Sequence, residues 1–266
     1  MKSIVRLTVI AMGLLCQPLS IGAQTITTIG EINAVTENGD PAFPGLQTSD
    51  RYTVEGAALN DPGIFNSETD NSYILFMQDE TGGIQVYSGA WYGGGLSAYP
   101  AVKPGDKLRV TGLTGHFGGK TNINERHNPD QKFSIEILGS GDPPKPLEIA
   151  NLEEAQKFDS TRKTGGEYYQ GRLVILKNVL IVEGEWINGG VLSVMDSLGA
   201  SMNVELRFKT GIGGFPKPEG ALNIIGVFDQ EDVEQPFQEG YVLWPRSIGD
   251  FQPAGTGVED WSVYQY

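Results

Sequence analysis

A strand–turn–strand phrase occurs twice in this chain, and that duplication limits the fold more than any other feature. The first copy is YILFMQDETGGIQVY, from Tyr73 to Tyr87, and the second is VLSVMDSLGASMNVEL, from Val191 to Leu206. In each, an apolar run leads to an Asp, two further residues, a Gly and a second β-rich run. Asp79–Gly82 and Asp196–Gly199 share that spacing. Leu75 and Met77 stand before the first Asp as Leu192 and Val194 stand before the second. The copies lie 117 residues apart, the length of one small domain, so two β modules in tandem are expected. An Asp before a tight turn accepts hydrogen bonds from the turn's own N–H groups. Gly then supplies a positive φ or a bulge. The two aspartates are therefore read as bends rather than reactive groups.

The rest of the chain fills in the modules. Residues 24–50 are polar and rich in turn formers, and are expected to enter the first module loosely. Arg51–Leu59, the two arms of the first hairpin, Lys107–Thr114 and Phe133–Leu138 read as five strands by alternation. Gly139–Pro146, GSGDPPKP, reads as a linker because Pro and Gly stop both helix and strand. Leu147–Phe158 reads as a short helix, with Asn151 as N-cap and Glu154 three residues on. In the second module Leu173, Ile175, Val179 and Ile181 share one phase of a long strand that Lys177 interrupts. The second hairpin turns Met202, Val204, Leu206 and Phe208 inward, and Ala221–Phe228 and Tyr241–Trp244 complete five strands. The fold class expected is all-β: two tandem five-stranded Greek-key barrels with a short connecting helix, over residues 24–142 and 143–252.

Lys2 and Arg6, an apolar run from Leu7 to Leu15, and Ser20-Ile21-Gly22-Ala23 read as an export signal over residues 1–23, cleaved after Ala23. A secreted, periplasmic or extracellular location follows as an expectation. Cys16, within that signal, is the single cysteine. Disulfides, thiol catalysis and cysteine–metal sites are then excluded from the processed chain. With 19 Lys and Arg against 33 Asp and Glu, the formal net charge is −14. A field of that sign repels polyanions and opposes the phosphate neutralisation on which nucleic-acid binding depends.

The phrases FMQDETGGIQVY, PGDKLRVTGLTGHFGGKTNI and IEILGSGDPPKP resemble the OB-fold modules of exported bacterial proteins. Such modules accompany endonuclease/exonuclease/phosphatase or lamin-tail-like domains. The residues that carry the resemblance are Gln78, Asp79, Gly82–Ile84, Val86, Tyr87, Gly105-Asp106, Val110, Gly112 and Phe117–Gly119. LVILKNVLI, Asp196, Gly199, Ile224–Gly226 and GYVLWPRSIGDF match more loosely in the second half. The resemblance implies two OB barrels with single strands or oligosaccharides as ligand classes. The tail over residues 253–266 contains GVEDWSVY, which resembles the opening of the C-terminal sorting domains of type IX secretion cargo.

Catalytic signatures do not emerge. There is no Gly-x-Ser-x-Gly elbow, no HExxH and no GxxxxGK[ST]. Gly115-His-Phe-Gly-Gly-Lys-Thr lacks the first glycine of a phosphate loop and follows a strand. Acidic groups at Asp229, Glu231, Asp232 and Glu234, and at Asp61, Asp70 and Asn71, offer hard oxygen ligands for calcium, but solvated loop charge is the commoner use. OB barrels bind on the face of their second and third strands and through the loops after strands one and four. The candidate ligand-binding residues are therefore Tyr87, Trp91, Tyr92, Tyr99 and Phe117, with positive charge from Lys107, Arg109 and Lys120. Flat rings stack on bases or sugar faces. Against this, the loop WYGGGLSAY is also suited to plugging its own barrel end. The function expected is an exported, non-catalytic binding or accessory protein, without cofactor, whose partner is an oligosaccharide, single-stranded nucleic acid or another protein. Two alternatives stay open: a metal-dependent phosphoesterase using His116 and His127 with Glu125 or Asp130, and a structural surface spacer.

Overall fold

In the computed structural model, which describes residues 25–255, two closed β-barrels follow one another. The export signal and all but the start of the tail lie outside the described residues. In the first barrel, β1 (Tyr52–Ala58), β2 (Tyr73–Gln78), β3 (Gly83–Ser88), β4 (Lys107–Phe117) and β5 (Lys120–Asn124) run in the order β1-β2-β3-β5-β4. Pairing of β1 with β4 closes the barrel. Strand β3 pairs with β5 in parallel, and the other pairings around the barrel are antiparallel. This strand order is that of an OB fold. An extra strand, β6 (Ser134–Gly139), lies along the first half of β4.

The second barrel repeats the plan. After β7 (Leu147–Ile149) come β8 (Leu173–Gly184), β9 (Val191–Met195), β10 (Ser201–Glu205), β11 (Leu222–Gln230) and β12 (Tyr241–Trp244). Their order is β8-β9-β10-β12-β11, with β8 returning to β11 and β10 parallel to β12. A final strand, β13 (Phe251–Pro253), pairs with β11.

Each barrel is plugged by a short helix that precedes its first strand. Helix α1 (Ile29–Ile32) buries Ile29 and Ile32 in the first core, and α2 (Leu152–Ala155) buries Leu152 and Ala155 in the second. The repeated aspartates hold both the turn and the plug. Asp79 Oδ1 accepts from the N–H groups of Thr81 (2.7 Å) and Gly82 (2.8 Å), while its Oδ2 accepts from Ile29 N–H (3.0 Å). Asp196 Oδ1 accepts from Leu198 (2.9 Å) and Ala200 (3.0 Å), while its Oδ2 accepts from Leu152 N–H (2.8 Å). The orphan donor at each helix start is thereby satisfied. Asn151 caps α2 through Glu154 N–H, as its position in the sequence predicts. A third helix, α3 (Gly165–Tyr169), stands between α2 and β8.

Several sequence expectations need correction. Leu147–Phe158 is not one helix: Leu147–Ile149 pairs in parallel with β8 as β7, and α2 covers only Leu152–Ala155. Phe208 does not continue the inward phase of β10, which ends at Glu205; it opens a 3-10 turn and is half-buried. The segment before β1 does not enter loosely: α1 is a core element, and Asn33 donates to the Gly83 carbonyl at 2.6 Å. The fifth strand of the first ring is Lys120–Asn124, between β3 and β4, and not Phe133–Leu138: Ser134–Gly139 lies outside the ring as β6, while Phe133 packs into the core. Finally, Leu173 and Ile175 do not share a face with Val179 and Ile181. The barrel core takes Val174, Leu176 and Val179, with Ile181 packed against it. Between them the register shifts, and Asn178 adopts φ 53°; one extra residue flips the phase of the strand.

Leu173 and Ile175 face the other barrel. Together with Ile225, Val227, Val242 and Trp244 they meet Leu59, Phe65, Ile74 and Phe76 in a third apolar core between the modules. Phe65, Phe76 and Trp244 pack edge to face at centroid distances of 5.2 to 6.0 Å. The backbones touch where the barrels cross: a Cβ on Gly83 would lie 2.1 Å from the Gly171 carbonyl carbon, so neither glycine tolerates a side chain. Lys120, almost fully buried, donates to Asp229 Oδ2 (2.5 Å) and the Gln230 carbonyl (2.6 Å) across the same boundary.

Candidate binding site

The OB ligand face of the first barrel is the outward side of β2 and β3, flanked by the loop after β1. Here that surface is already occupied. Ile74 and Phe76, which point outward from β2, are the residues buried against the second barrel. The loop over residues 59–72 is held as well. Arg246 donates to Leu59 O (3.1 Å), Arg207 to Phe65 O (2.9 Å), and Lys209 to Asp70 O. A ligand cannot lie there without separating the barrels.

What remains open lies at the far edge of β3 and the start of the loop that follows it. Trp91 is 94% exposed and Tyr92 52% exposed. Tyr92 stacks on His127, with ring centroids 4.4 Å apart and planes 24° from parallel. The hydroxyl of Tyr87 and the ring of Tyr92 both lie within 4 Å of the space above Gly89. His127 is set in place by unusual backbone: Arg126 and His127 adopt φ 50° and 58° in succession. For residues other than Gly this region carries strain, which persists only where surroundings enforce it. The enforcement comes from the Arg126 guanidinium, which donates to Thr114 O (2.5 Å) and Thr48 O (2.6 Å), and from Asn124 Oδ1, which accepts from Arg126 N–H (2.9 Å).

The loop WYGGGLSAY therefore divides its aromatic residues. Trp91 and Tyr92 stay outside. Leu96 and Tyr99 turn inward and pack on the barrel core, Tyr99 lying flat on Phe133 at 3.9 Å and 7°. Tyr73, beneath them, donates to Pro100 O at 3.1 Å. Burial pushes the Tyr99 hydroxyl above the ordinary phenol range.

The eight residues singled out from the sequence do not form one site. Tyr87 packs against the apolar core between the barrels and only its hydroxyl approaches Tyr92 above Gly89, while Trp91 stands next to Tyr92 in the chain. Tyr99 is part of the barrel plug. Phe117 is exposed but stands at the tip of the β4–β5 hairpin, where Gly118 and Gly119, with φ 61° and 80°, make the turn. The glycines of the supposed phosphate loop are that turn. Lys107 and Arg109 lie at the opposite end of β4, beside β1 and β6, and Arg109 is held between Glu55 (2.6 Å) and Glu136 (2.9 Å). Lys120 is buried in its pair with Asp229 and offers no charge to a ligand.

His127 was paired in the sequence with His116 only as a metal ligand. The structure separates them: His116 packs on Phe237 of the second barrel at 4.9 Å. Among the described residues no group of three or more His, Cys, Asp or Glu could hold a metal ion. The acidic loops are also used internally. Asp229 pairs with Lys120, Asp232 accepts from Glu234 and Glu239 N–H, and Asp61 and Asp70 close local turns. Among the described residues no helix is long and apolar enough to cross a membrane.

No known family model matches the chain, and no curated protein matches it. Among solved structures it is similar to one described as the crystal structure of the tetrameric p202 HIN2, at 14% identity and a TM-score of 0.33, over 75% of this chain and 91% of that one.

Proposed function

We propose that this chain is an exported, non-catalytic binding protein that holds an oligosaccharide on the rings of Trp91, Tyr92 and Tyr87. The observation that carries the reading is the nearly complete exposure of Trp91 beside the Tyr92–His127 stack. A large ring left in water at the start of a glycine-rich loop gains no hydrophobic free energy on folding and retains it for burial against a ligand. It is a natural platform for a flat apolar face. Sugar rings and nucleobases both present one, and charge separates them. With a net charge of −14, and with Lys120 and Arg109 committed to carboxylates, this surface lacks the cations that phosphate neutralisation demands. The export reading rests on the pattern over residues 1–23 and fits such a ligand.

The test is a paired titration of the purified protein. Neutral oligosaccharides and a single-stranded DNA are each titrated at about 50 and about 200 mM salt, conditions that separate phosphate binding from neutral binding. Saturable, salt-independent binding of an oligosaccharide supports the reading. Salt-sensitive DNA binding that requires Trp91 would replace it with a nucleic-acid function.

A further inference from the structure

Glu125 is the residue that neither the fold nor the aromatic platform explains. It is 1% exposed, yet neither carboxyl oxygen forms a hydrogen bond of normal geometry. The Ser88 Oγ and the Tyr99 Oη are likewise buried without a hydrogen bond of normal geometry; Ser88 lies within looser reach of both Glu125 and Tyr99, and Tyr99 of the Phe133 backbone. Burial pushes the Glu125 carboxyl above the usual range, and the nearby Ser88 hydroxyl and the N–H groups of Glu125 and Gly89 do not offset it. Buried polar atoms are nearly always paired, and several left unpaired at one place need a reason. A structural role gives none, since an apolar residue would fill the space at lower cost.

The cover over this pocket is thin. A Cβ on Gly93 would lie 2.1 Å from Ser88 Oγ and 2.5 Å from Glu125 Oε1, so the loop backbone rests directly on both groups. Gly93 belongs to Gly89–Gly95, GAWYGGG, where Gly94 and Gly95 adopt φ 88° and 52°. The same seven residues carry Trp91 and Tyr92 on their outer side, and His127, two residues after Glu125, meets Tyr92. One short, glycine-rich segment thus separates an exposed ring platform from a buried acceptor and two hydroxyls.

We propose that Ser88, Tyr99 and Glu125 form a hydroxyl-binding subsite beneath residues 89–95, uncovered when that segment moves aside, and that Glu125 sets specificity for the saccharide held by Trp91 and Tyr92. The chemistry is matched. A carboxylate accepts from two neighbouring sugar hydroxyls, while the Ser and Tyr hydroxyls donate to or accept from the same diol. The inference rests on the carbohydrate reading above and adds to it the group that would discriminate among sugars.

The experiment measures calorimetric binding of cellohexaose, maltohexaose and chitohexaose, together with thermal unfolding at pH 7, for wild type, Glu125→Gln, Ser88→Ala and Trp91→Ala. Glu125→Gln should weaken binding of the preferred probe at least tenfold while melting above wild type, because it removes a buried charge that the fold does not satisfy. Ser88→Ala should weaken binding less. Trp91→Ala should lose binding without raising the melting temperature. If Glu125→Gln binds as wild type while Trp91→Ala does not, the subsite is wrong and the platform stands. A Glu125→Gln protein that melts below wild type would make the carboxyl structural and sink the proposal. If wild type binds none of the three probes, the carbohydrate reading falls and the subsite with it.

Discussion

Lys120 and Asp229 form an ion pair of 2.5 Å across the boundary between the barrels, with side-chain exposures of 6% and 0%. Lys120 opens β5 in the first barrel, and Asp229 lies near the end of β11 in the second. Gln170 extends the link, donating to the Gly119 carbonyl of the first barrel at 3.3 Å and to Gln230 Oε1 of its own at 2.6 Å. Taking two charges out of water is expensive, and their attraction in the interior offsets that cost only while both are present. Lys120→Met leaves Asp229 buried and unpaired, and should destabilise the protein by about 3–5 kcal/mol. Adding Asp229→Leu to that variant should recover most of the loss. Urea unfolding of the three proteins checks this; equal stability of wild type and the single variant would refute it.

The apolar core between the modules leads to a second prediction. Phe76 is fully buried between Phe65 and Trp244, so Phe76→Ala should cost about 3–5 kcal/mol, as truncation of a buried aromatic does. Since Ile74, Leu173, Ile175 and Val227 belong to the interface and to strands of both barrels, the chain should unfold in one calorimetric transition. Two separated transitions for wild type would show that the barrels are energetically independent.

That interface also explains what was and was not legible in the sequence. The duplicated hairpin predicts two barrels because its alternation is set by each barrel's own core: Leu75 and Met77 in one, Leu192 and Val194 in the other. Lys120–Asn124 was overlooked because its outward residues, Lys120, Asn122 and Asn124, serve the interface and local hydrogen bonds, which leaves Ile123 as its one strong inward signal. Leu173 and Ile175 misled because they are apolar for the sake of the neighbouring barrel, a contact no local period announces. The positions of Ile74, Phe76 and Tyr87 are taken in the second barrel by Val191, Ser193 and Glu205, which sets a more polar face toward water. For the candidate site, the exposure of Trp91 and Tyr92 at the start of the glycine-rich loop was legible, whereas the packing of Tyr87 against the core between the barrels was not. His127 as a stacking partner was not, because its place depends on two successive left-handed residues held by Thr48 and Thr114.

The Asp196 corner should contribute to acid stability. Burial opposes ionisation of Asp196, but the N–H groups of Leu152, Ala200, Leu198 and Gly199 outweigh it and hold the carboxyl below its ordinary range. A folded-state value below the unfolded one gives stability that is complete above about pH 4 and lost as pH falls through the folded value. Asp196→Ala should therefore cost about 1.5–3 kcal/mol at pH 7, the range for hydrogen bonds to a charged group. Asp196→Asn should be flatter than wild type in a plot of melting temperature against pH on the acid side. A wild-type curve that stays level to pH 2 would contradict the assignment.

The ring platform makes the last prediction. Energetically dominant contacts in recognition are large aromatic residues, and their truncation typically costs about 2 kcal/mol or more, roughly 30-fold in affinity. Trp91→Ala should reach that loss with unchanged thermal stability, since a ring 94% exposed contributes little to folding. His127→Ala should act differently. It removes the surface that holds Tyr92 at 4.4 Å, so Tyr92 keeps its ring but loses its fixed orientation. The loss should then be smaller, about 0.5–1.5 kcal/mol, the worth of one aromatic pair. It should also be absent in a Tyr92→Ala background, because without the tyrosine there is nothing left for the imidazole to orient. Additive losses in the double variant would mean that His127 touches the ligand itself.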